Sequence, residues 1–324
     1  MKKFLKHISY GLLIFVIINL LIVLKYELPA HEAIKNKTHK NYLKWNSIHN
    51  NLNTYDLIIL GSSRAYTSLN PKVIDSGLNL ISFNMGTSSQ DITESYYTLK
   101  EILDYQKPKY LVLETYLGSC DDFINYYQVY SNASFFKSSE HKFELVVKGY
   151  GSKGTVNYLI PLMKFNNYIK QDIKSIFSKS NSKAPKKNWY KGFHYDTTVV
   201  TKNDIKNFEP IPNFENKNFN KDRFKFYFDK IHKLTKANKI KLIVLRTPYP
   251  PSRLMLGSNN DENDFYKKYF REYKDVGYYD LNSYKSNTFN FTDNDFSDFH
   301  HANGKGALKI SQQLVSIIKS EQLN

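Results

Sequence analysis

Residues 57–71 read LIILGSSRAYTSLNP. Leu57 to Leu60 are apolar without any polar alternation, the pattern of a strand buried on both faces. The run stops at Gly61, and Ser62 and Ser63 follow at once. Alone, Gly-Ser-Ser is an ordinary turn signal. It becomes a chemical signal only if an acid and a base return to the same place from elsewhere in the chain.

The surrounding sequence repeats a strand–helix rhythm. YDLIIL (55–60) is the first expected strand, and LNLISFNMG (78–86) is a second that ends in glycine. SQDITESYYTLKEILDYQ (89–106) carries Ile92, Tyr96, Leu99 and Leu103 at helical spacing, with Ser88 or Ser89 as the expected N-cap. Pro108 breaks that pattern, and KYLVLE (109–114) is a third strand. RFKFYFDKIHKLTKANK (223–239) predicts a helix, IKLIVLRTP (240–248) a buried strand, and VGYYDLN (276–282) a fifth. A last helix is expected from Asn303 to Lys319, with Ala307, Ile310, Leu314 and Ile317 on one face. Such alternation predicts an α/β fold, with three α/β/α layers around a mainly parallel sheet. Between 115 and 220 it stops. That stretch, rich in Tyr, Asn, Phe, Lys and Ser, reads as a cap-like insertion at the carboxyl end of the third strand, beside the crevice where such sheets bind ligands. Within it, KSIFSKSNSKAPKKN (174–188) reads as an exposed loop.

The amino terminus sets the compartment. MKKFLKHISYGLLIFVIINLLIVLKYELPA (1–30) opens with Lys2, Lys3 and Lys6, then runs uncharged from Ile8 to Leu24. At about 1.5 Å per residue this run spans roughly 26 Å, enough for the hydrocarbon core of a bilayer. A cleavable signal peptide is the other reading, but Leu28-Pro29-Ala30 is a poor cleavage site. Residues 1–30 are therefore expected to be a membrane anchor, 31–54 a polar juxtamembrane stalk, and 55–324 the main domain. Lys25, Lys35, Lys37, Lys40 and Lys44 outnumber the lysines before the run, which opposes a cytoplasmic amino terminus. Large domains translocate largely regardless of charge, however, and a short basic head usually stays inside. The expectation is a single-pass protein of the cell membrane with its domain outside the cytoplasm. The net charge of +16 favours anionic partners. No zinc-finger spacing, RNA-binding signature or basic heptad array accompanies it, so nucleic acid is not expected. The single cysteine, Cys120, excludes an internal disulfide and a Cys-based metal site.

The missing partners stand near the carboxyl terminus, in DNDFSDFHHANGKGALKI (293–310). Asp298 and His301 are three apart, so the chain offers a hydroxyl, an acid and a base in the order Ser, Asp, His. Asp298, His300 and His301 would also suit a metal, but no further ligand stands at telling spacing, and neither a metal nor a cofactor is expected. Arg64 and Arg246 fall at strand ends near the presumed site. With Asn84 they are the candidates for substrate contact. Asn303 reads as the N-cap of the last helix.

These segments resemble the SGNH (GDSL-like) hydrolase superfamily. In that family the nucleophile lies in a Gly-Asp-Ser block at the end of the first strand. Gly61-Ser62-Ser63 occupies that place, so the resemblance implies Ser63 as nucleophile, with Ser62 standing for the aspartate. The Gly-Ser-Ser form is similar to the membrane-anchored branch, the teichoic-acid D-alanine transfer proteins and the alginate-type O-acetyltransferases. FNMGTSS (83–89) resembles the second block, which implies that Gly86, with Ser63, supplies backbone N–H groups to an oxyanion hole. The last block, Asp-x-x-His-Leu-Asn-x-x-Gly, is matched by Asp298, His301, Asn303 and Gly306, with Ala302 in place of Leu. The third block departs: LETYLGSCDD (113–122) lacks the family's oxyanion asparagine, and Glu114, Thr115 and Ser119 stand in that neighbourhood. The resemblance covers residues 55–115 and 240–318, not the insertion. It implies a Ser-His-Asp enzyme moving acyl groups to or from a cell-surface glycan or teichoic-acid-like polymer, with a multi-span membrane O-acyltransferase as partner. A carbohydrate esterase or deacetylase, and an inactive polymer-binding scaffold, are the alternatives.

Overall fold

The structure is a computed structural model that describes residues 1–27, 40–116, 119, 124–166, 169–170, 172–173, 188–210, 219–257, 260–282 and 290–323. Cys120, residues 28–39 of the expected anchor end and stalk, and all of the 174–188 loop but Asn188 lie outside the described residues.

Helix α1 (Lys2–Ile22) holds most of the apolar run, which continues through a wider turn at Val23–Glu27. It is long and apolar enough to cross a membrane. Helix α2 (Lys40–Asn50) follows, inside the stretch expected to be a stalk. Trp45 and Ile48 sink from it into the core, so this segment belongs to the domain. Polar residues on its other face hide that role from a composition reading.

The domain then alternates as expected. Strand β1 (Leu57–Leu60) leads into α3 (Ser63–Ser68) and α4 (Pro71–Leu78). Strand β2 (Ser82–Asn84), α5 (Ile92–Leu103) and β3 (Tyr110–Glu114) complete the first half. Asp91, not Ser88 or Ser89, caps α5: its carboxylate accepts from Glu94 N at 2.8 Å. Helix α4 shortens the expected second strand, because Asn70 caps it, Pro71 opens it and Asn79 closes it in the left-handed conformation.

The insertion contains α6 (Tyr126–Ala133), α7 (Ser139–Phe143), α8 (Gly151–Leu159), α9 (Pro161–Lys164), the hairpin β4 (Asn188–Tyr190) and β5 (Phe193–Tyr195), and α10 (Lys202–Lys206). Its first half thickens a helical layer rather than covering the crevice: Val129, Tyr130, Leu145 and Val146 join the core of one sheet face. The hairpin and the segment after it turn toward the carboxyl ends of the strands, where Lys191 O accepts from Asn84 N and Val200 N donates to Phe296 O, both at 3.0 Å.

The second half runs through α11 (Lys221–Ala237), β6 (Lys241–Arg246), α12 (Pro251–Leu256), α13 (Asn260–Phe270), β7 (Gly277–Asp280) and α14 (Gly304–Leu323). The five long-range strands form one parallel sheet in the order β2-β1-β3-β6-β7. Period-two geometry sorts each strand between two cores. Ile58, Leu60, Leu111, Leu113, Leu242 and Val244 face α2, α5, α6, α11 and α13. Leu57, Ile59, Val112, Ile243 and Leu245 face α4 and α14, and Ala307, Ile310, Leu314 and Ile317 are all buried. The three-layer α/β/α architecture is therefore present.

Candidate active site

Gly61 explains the break in the opening run. Its φ is +140°, and a Cβ there would lie 2.7 Å from Glu114 Cβ, so only glycine lets β1 turn this close to β3. Ser62 then caps α3: its Oγ accepts from Arg64 N at 3.1 Å. The same hydroxyl donates to Glu114 Oε2 at 2.9 Å, and Ser62 N donates to that oxygen at 3.0 Å. Ser62 is thus tied down beneath the turn. Ser63 is left as the first residue of α3, and among the described residues nothing accepts from its N–H.

The second half of the site comes from the loop before α14. Asp298 Oδ1 accepts from His300 N at 2.7 Å and His301 N at 2.8 Å, folding the loop around its own carboxylate. Its Oδ2 lies 2.8 Å from His301 Nδ1. A carboxylate only accepts, so Nδ1 carries the proton and Nε2 of the neutral ring is an acceptor. Ser63 Oγ stands 2.8 Å from that Nε2. Burial works against charge on Asp298, but the His301 hydrogen bond and the two backbone N–H groups outweigh it, holding the carboxyl down at about 2. Asp298 and His301 still expose 45% and 27% of their side chains, so the site is shallow and open.

Two arginines hold this loop from behind. Arg253 donates to Phe299 O and to His300 Nδ1, both at 2.9 Å. Arg64 donates to His300 O at 3.4 Å, to Pro248 O at 3.1 Å, and to Thr247 O. Both guanidinium groups lie over the Tyr249 ring, at 3.8 Å for Arg64 and 4.7 Å for Arg253. Burial, with the charges of Arg253 and Arg64, pushes the His300 imidazole down to about 3. His300 is a neutral strut in this loop, and its neighbour His301 faces the serine.

The structure therefore brings Ser63, Asp298 and His301 together, and it corrects the other expectations. Arg64 is 2% exposed and is consumed by Glu114, the strand β6 exit loop and Tyr249, so it does not reach a substrate. Arg246 is fully buried in an ion pair with Asp280 at 3.0 Å. Asn84 is fully buried: its amide donates to Ala65 O and Leu69 O, and its Oδ1 accepts from Gly86 N at 3.0 Å. That last bond turns the Gly86 N–H inward, so the expected second oxyanion donor is engaged within its own loop. All four stand where burial requires internal partners. Asn303 caps α14 as expected, accepting from Lys305 N and Gly306 N.

Arg253 and Tyr249 were not expected at the site, and Glu114 was expected only as a residue near the third block. Glu114 had a partial signal, ending a buried strand with a charge; burial raises its carboxyl pKa against the Arg64 charge and the Ser62 bonds. Tyr66 also stands on the Ser63 face of α3, one turn on, with Trp189 of the hairpin 5.4 Å away.

No protein-family model matches the chain, and no curated protein matches it. Solved structures do. A GDSL-like lipase from Bacteroides thetaiotaomicron aligns over 87% of this chain and 98% of its own, at 12% identity and a TM-score of 0.42. A protein assigned to the lipolytic G-D-S-L family from Desulfitobacterium hafniense aligns over 81% and 98%, at 11% identity and a TM-score of 0.40. A protein assigned as an acylhydrolase from Bacteroides fragilis aligns over 83% and 88%, at 12% identity and a TM-score of 0.39.

Proposed function

We propose that this chain is a serine acyl-ester enzyme in which Ser63 is the nucleophile, His301 the general base and Asp298 the group that orients it. One observation carries the reading: Ser63 Oγ, His301 and Asp298 form a continuous relay with both links at 2.8 Å, from residues at opposite ends of the domain. Ser63 Oγ attacks the acyl carbon as His301 Nε2 takes its proton. The Ser63 N–H, at the start of α3, faces the developing oxyanion. Collapse expels the alcohol, which takes the proton back from His301 and leaves an acyl-serine. A second alcohol gives transfer; water gives hydrolysis.

The acyl group is small and the acceptor is a cell-surface glycan or teichoic-acid-like polymer in this proposal. The open site supports it, because a shallow groove admits a chain that a deep pocket would exclude. The apolar α1 supports a membrane-held enzyme, with the domain outside the cytoplasm and a multi-span O-acyltransferase as the donor of acyl groups. The branch resemblance of Gly61-Ser62-Ser63 favours transfer over hydrolysis. A second reading, a polymer-binding protein without turnover, draws on the inward Gly86 N–H. Losing one oxyanion donor costs a factor of about 100 to 1,000 in rate.

A fluorophosphonate probe separates these readings. Labelling of Ser63 that disappears in Ser63→Ala supports the enzyme. An unlabelled, folded wild-type chain leaves the binding protein. Product analysis with a glycan acceptor then divides transfer from hydrolysis.

A further inference from the structure

The apolar helix α1 does not stand clear of the domain. Its Asn19 Oδ1 accepts from Leu162 N, the second residue of α9, at 3.0 Å. Tyr26 stacks on Phe165 with ring centroids 5.4 Å apart, and Lys25 pairs with Asp172 at 2.6 Å. Asn19 lies five residues inside the end of the uncharged run at Leu24. At about 1.5 Å per residue, Leu162 sits roughly 7–8 Å below that end.

If residues 8–24 cross a bilayer, the α8–α9 turn is at membrane depth. Its chemistry suits that place. Leu159 is 69% exposed and Met163 44%, and Val156 and Leu162 are exposed beside them. In water such a cluster is unfavourable; against acyl chains it is at home. The Asn19–Leu162 bond points the same way. The first N–H groups of a helix lack internal acceptors, and a polar side chain within a span needs a partner. Each supplies the other. Lys164 lies over the Tyr158 and Phe165 rings, at 5.6 and 5.4 Å, an arrangement that lets its stem stay apolar while its charge reaches the headgroups.

We infer that the α8–α9 turn of the insertion is a second membrane contact, dipping into the acyl-chain region of the leaflet that holds the Asn19 half of α1. This rests on α1 being a span and is independent of the chemistry at Ser63. The occupant is lipid rather than a partner protein, because the surface is continuous with the exposed apolar faces of α1 at the same depth.

The test is lipid photolabelling. The full chain is reconstituted in mixed phosphatidylcholine and phosphatidylglycerol vesicles carrying a diazirine in the acyl chains, and labelled residues are mapped by mass spectrometry. Labels are expected on 8–24 and also on 156–163, with Phe226, 54% exposed on α11, as the aqueous control. In Leu159→Lys with Met163→Lys the 156–163 labels should be lost while the span stays labelled. Labels confined to 8–24 overturn the inference and leave the span standing. Labelling of Phe226 equal to that of Leu159 overturns it as well. An unlabelled 8–24 segment removes the span and the inference together, whereas Ser63 reactivity with a fluorophosphonate is read separately.

Discussion

Ser62 and Ser63 are adjacent and do different work. Ser62 Oγ bridges Arg64 N and Glu114, so Ser62→Ala should cost about 1 kcal/mol as a lost cap, measured by urea unfolding, while fluorophosphonate labelling persists. Ser63→Ala should leave stability nearly unchanged and abolish labelling. The reverse outcome would place the nucleophile one residue earlier. Arg64 is a different case. Removing it strands the buried Glu114 carboxyl, so Arg64→Ala should cost about 3–5 kcal/mol, seen in the same unfolding experiment. Asp298, held at about 2, and His300, pushed to about 3, keep their charge states through the neutral range. The hydrogen-bonded grouping of Ser63, His301 and Asp298 was legible in the sequence because its members lie in short local patterns. The roles of Glu114, Tyr249 and Arg253 were not, since they come from tertiary contacts, Glu114 with Ser62, Tyr249 with Arg64 and Arg253 with His300, that no local pattern writes. Arg64, Asn84 and Arg246 misled for a related reason: position at a strand end says nothing about which way a side chain turns.

At the scale of elements, buried α5 carries an unusual acid. Glu94 is fully buried, and burial followed by the Asp91 charge raises its carboxyl to about 8, against hydrogen bonds from Asn132 and Thr87. Its ordinary value of 4.5 applies in the unfolded chain. Between those values the unfolded chain has lost the proton and the folded chain keeps it. Stability should therefore fall as pH rises from 4.5 to about 8 and then level off. Urea unfolding across that window should show the slope, and Glu94→Gln should flatten it. The hairpin β4–β5 offers a second check. Gly192 has φ +80°, and a Cβ there would meet Asn84 O at 1.8 Å. Gly192→Ala should cost at least the roughly 1–3 kcal/mol of such backbone strain, read as a lower Tm. Strands and long helices were legible because burial on both faces writes continuous apolar runs. Helix α4 was overlooked although Asn70-Pro71 announces it. Helix α2 was overlooked because a helix with one buried stripe and many polar residues looks like a stalk when only composition is read.

The whole molecule joins an apolar helix, a three-layer domain and an insertion that touches both. A phosphatase fused after Asn324 should be active only if the domain lies outside the cytoplasm, and activity from a cytoplasmic reporter alone would remove the cell-surface substrate. The overall class was legible from strand–helix rhythm, and so was the presence of the insertion, whereas its internal helices were not, because they pack through scattered tyrosines without a repeating pattern. The distance along the chain between the two halves of the site has its own consequence. Ser63 and His301 are 238 residues apart, and β1, β3 and β6 must be in register before they meet. Loop closure on that scale is paid before contact rewards it. A chain still emerging, clipped before Asp298, or collapsed with its last helix undocked has a serine but no base in place beside it. On the proposed chemistry, reactivity at Ser63 would be a readout of completed folding: a nascent or damaged copy would stay chemically silent until the final segment had locked into place.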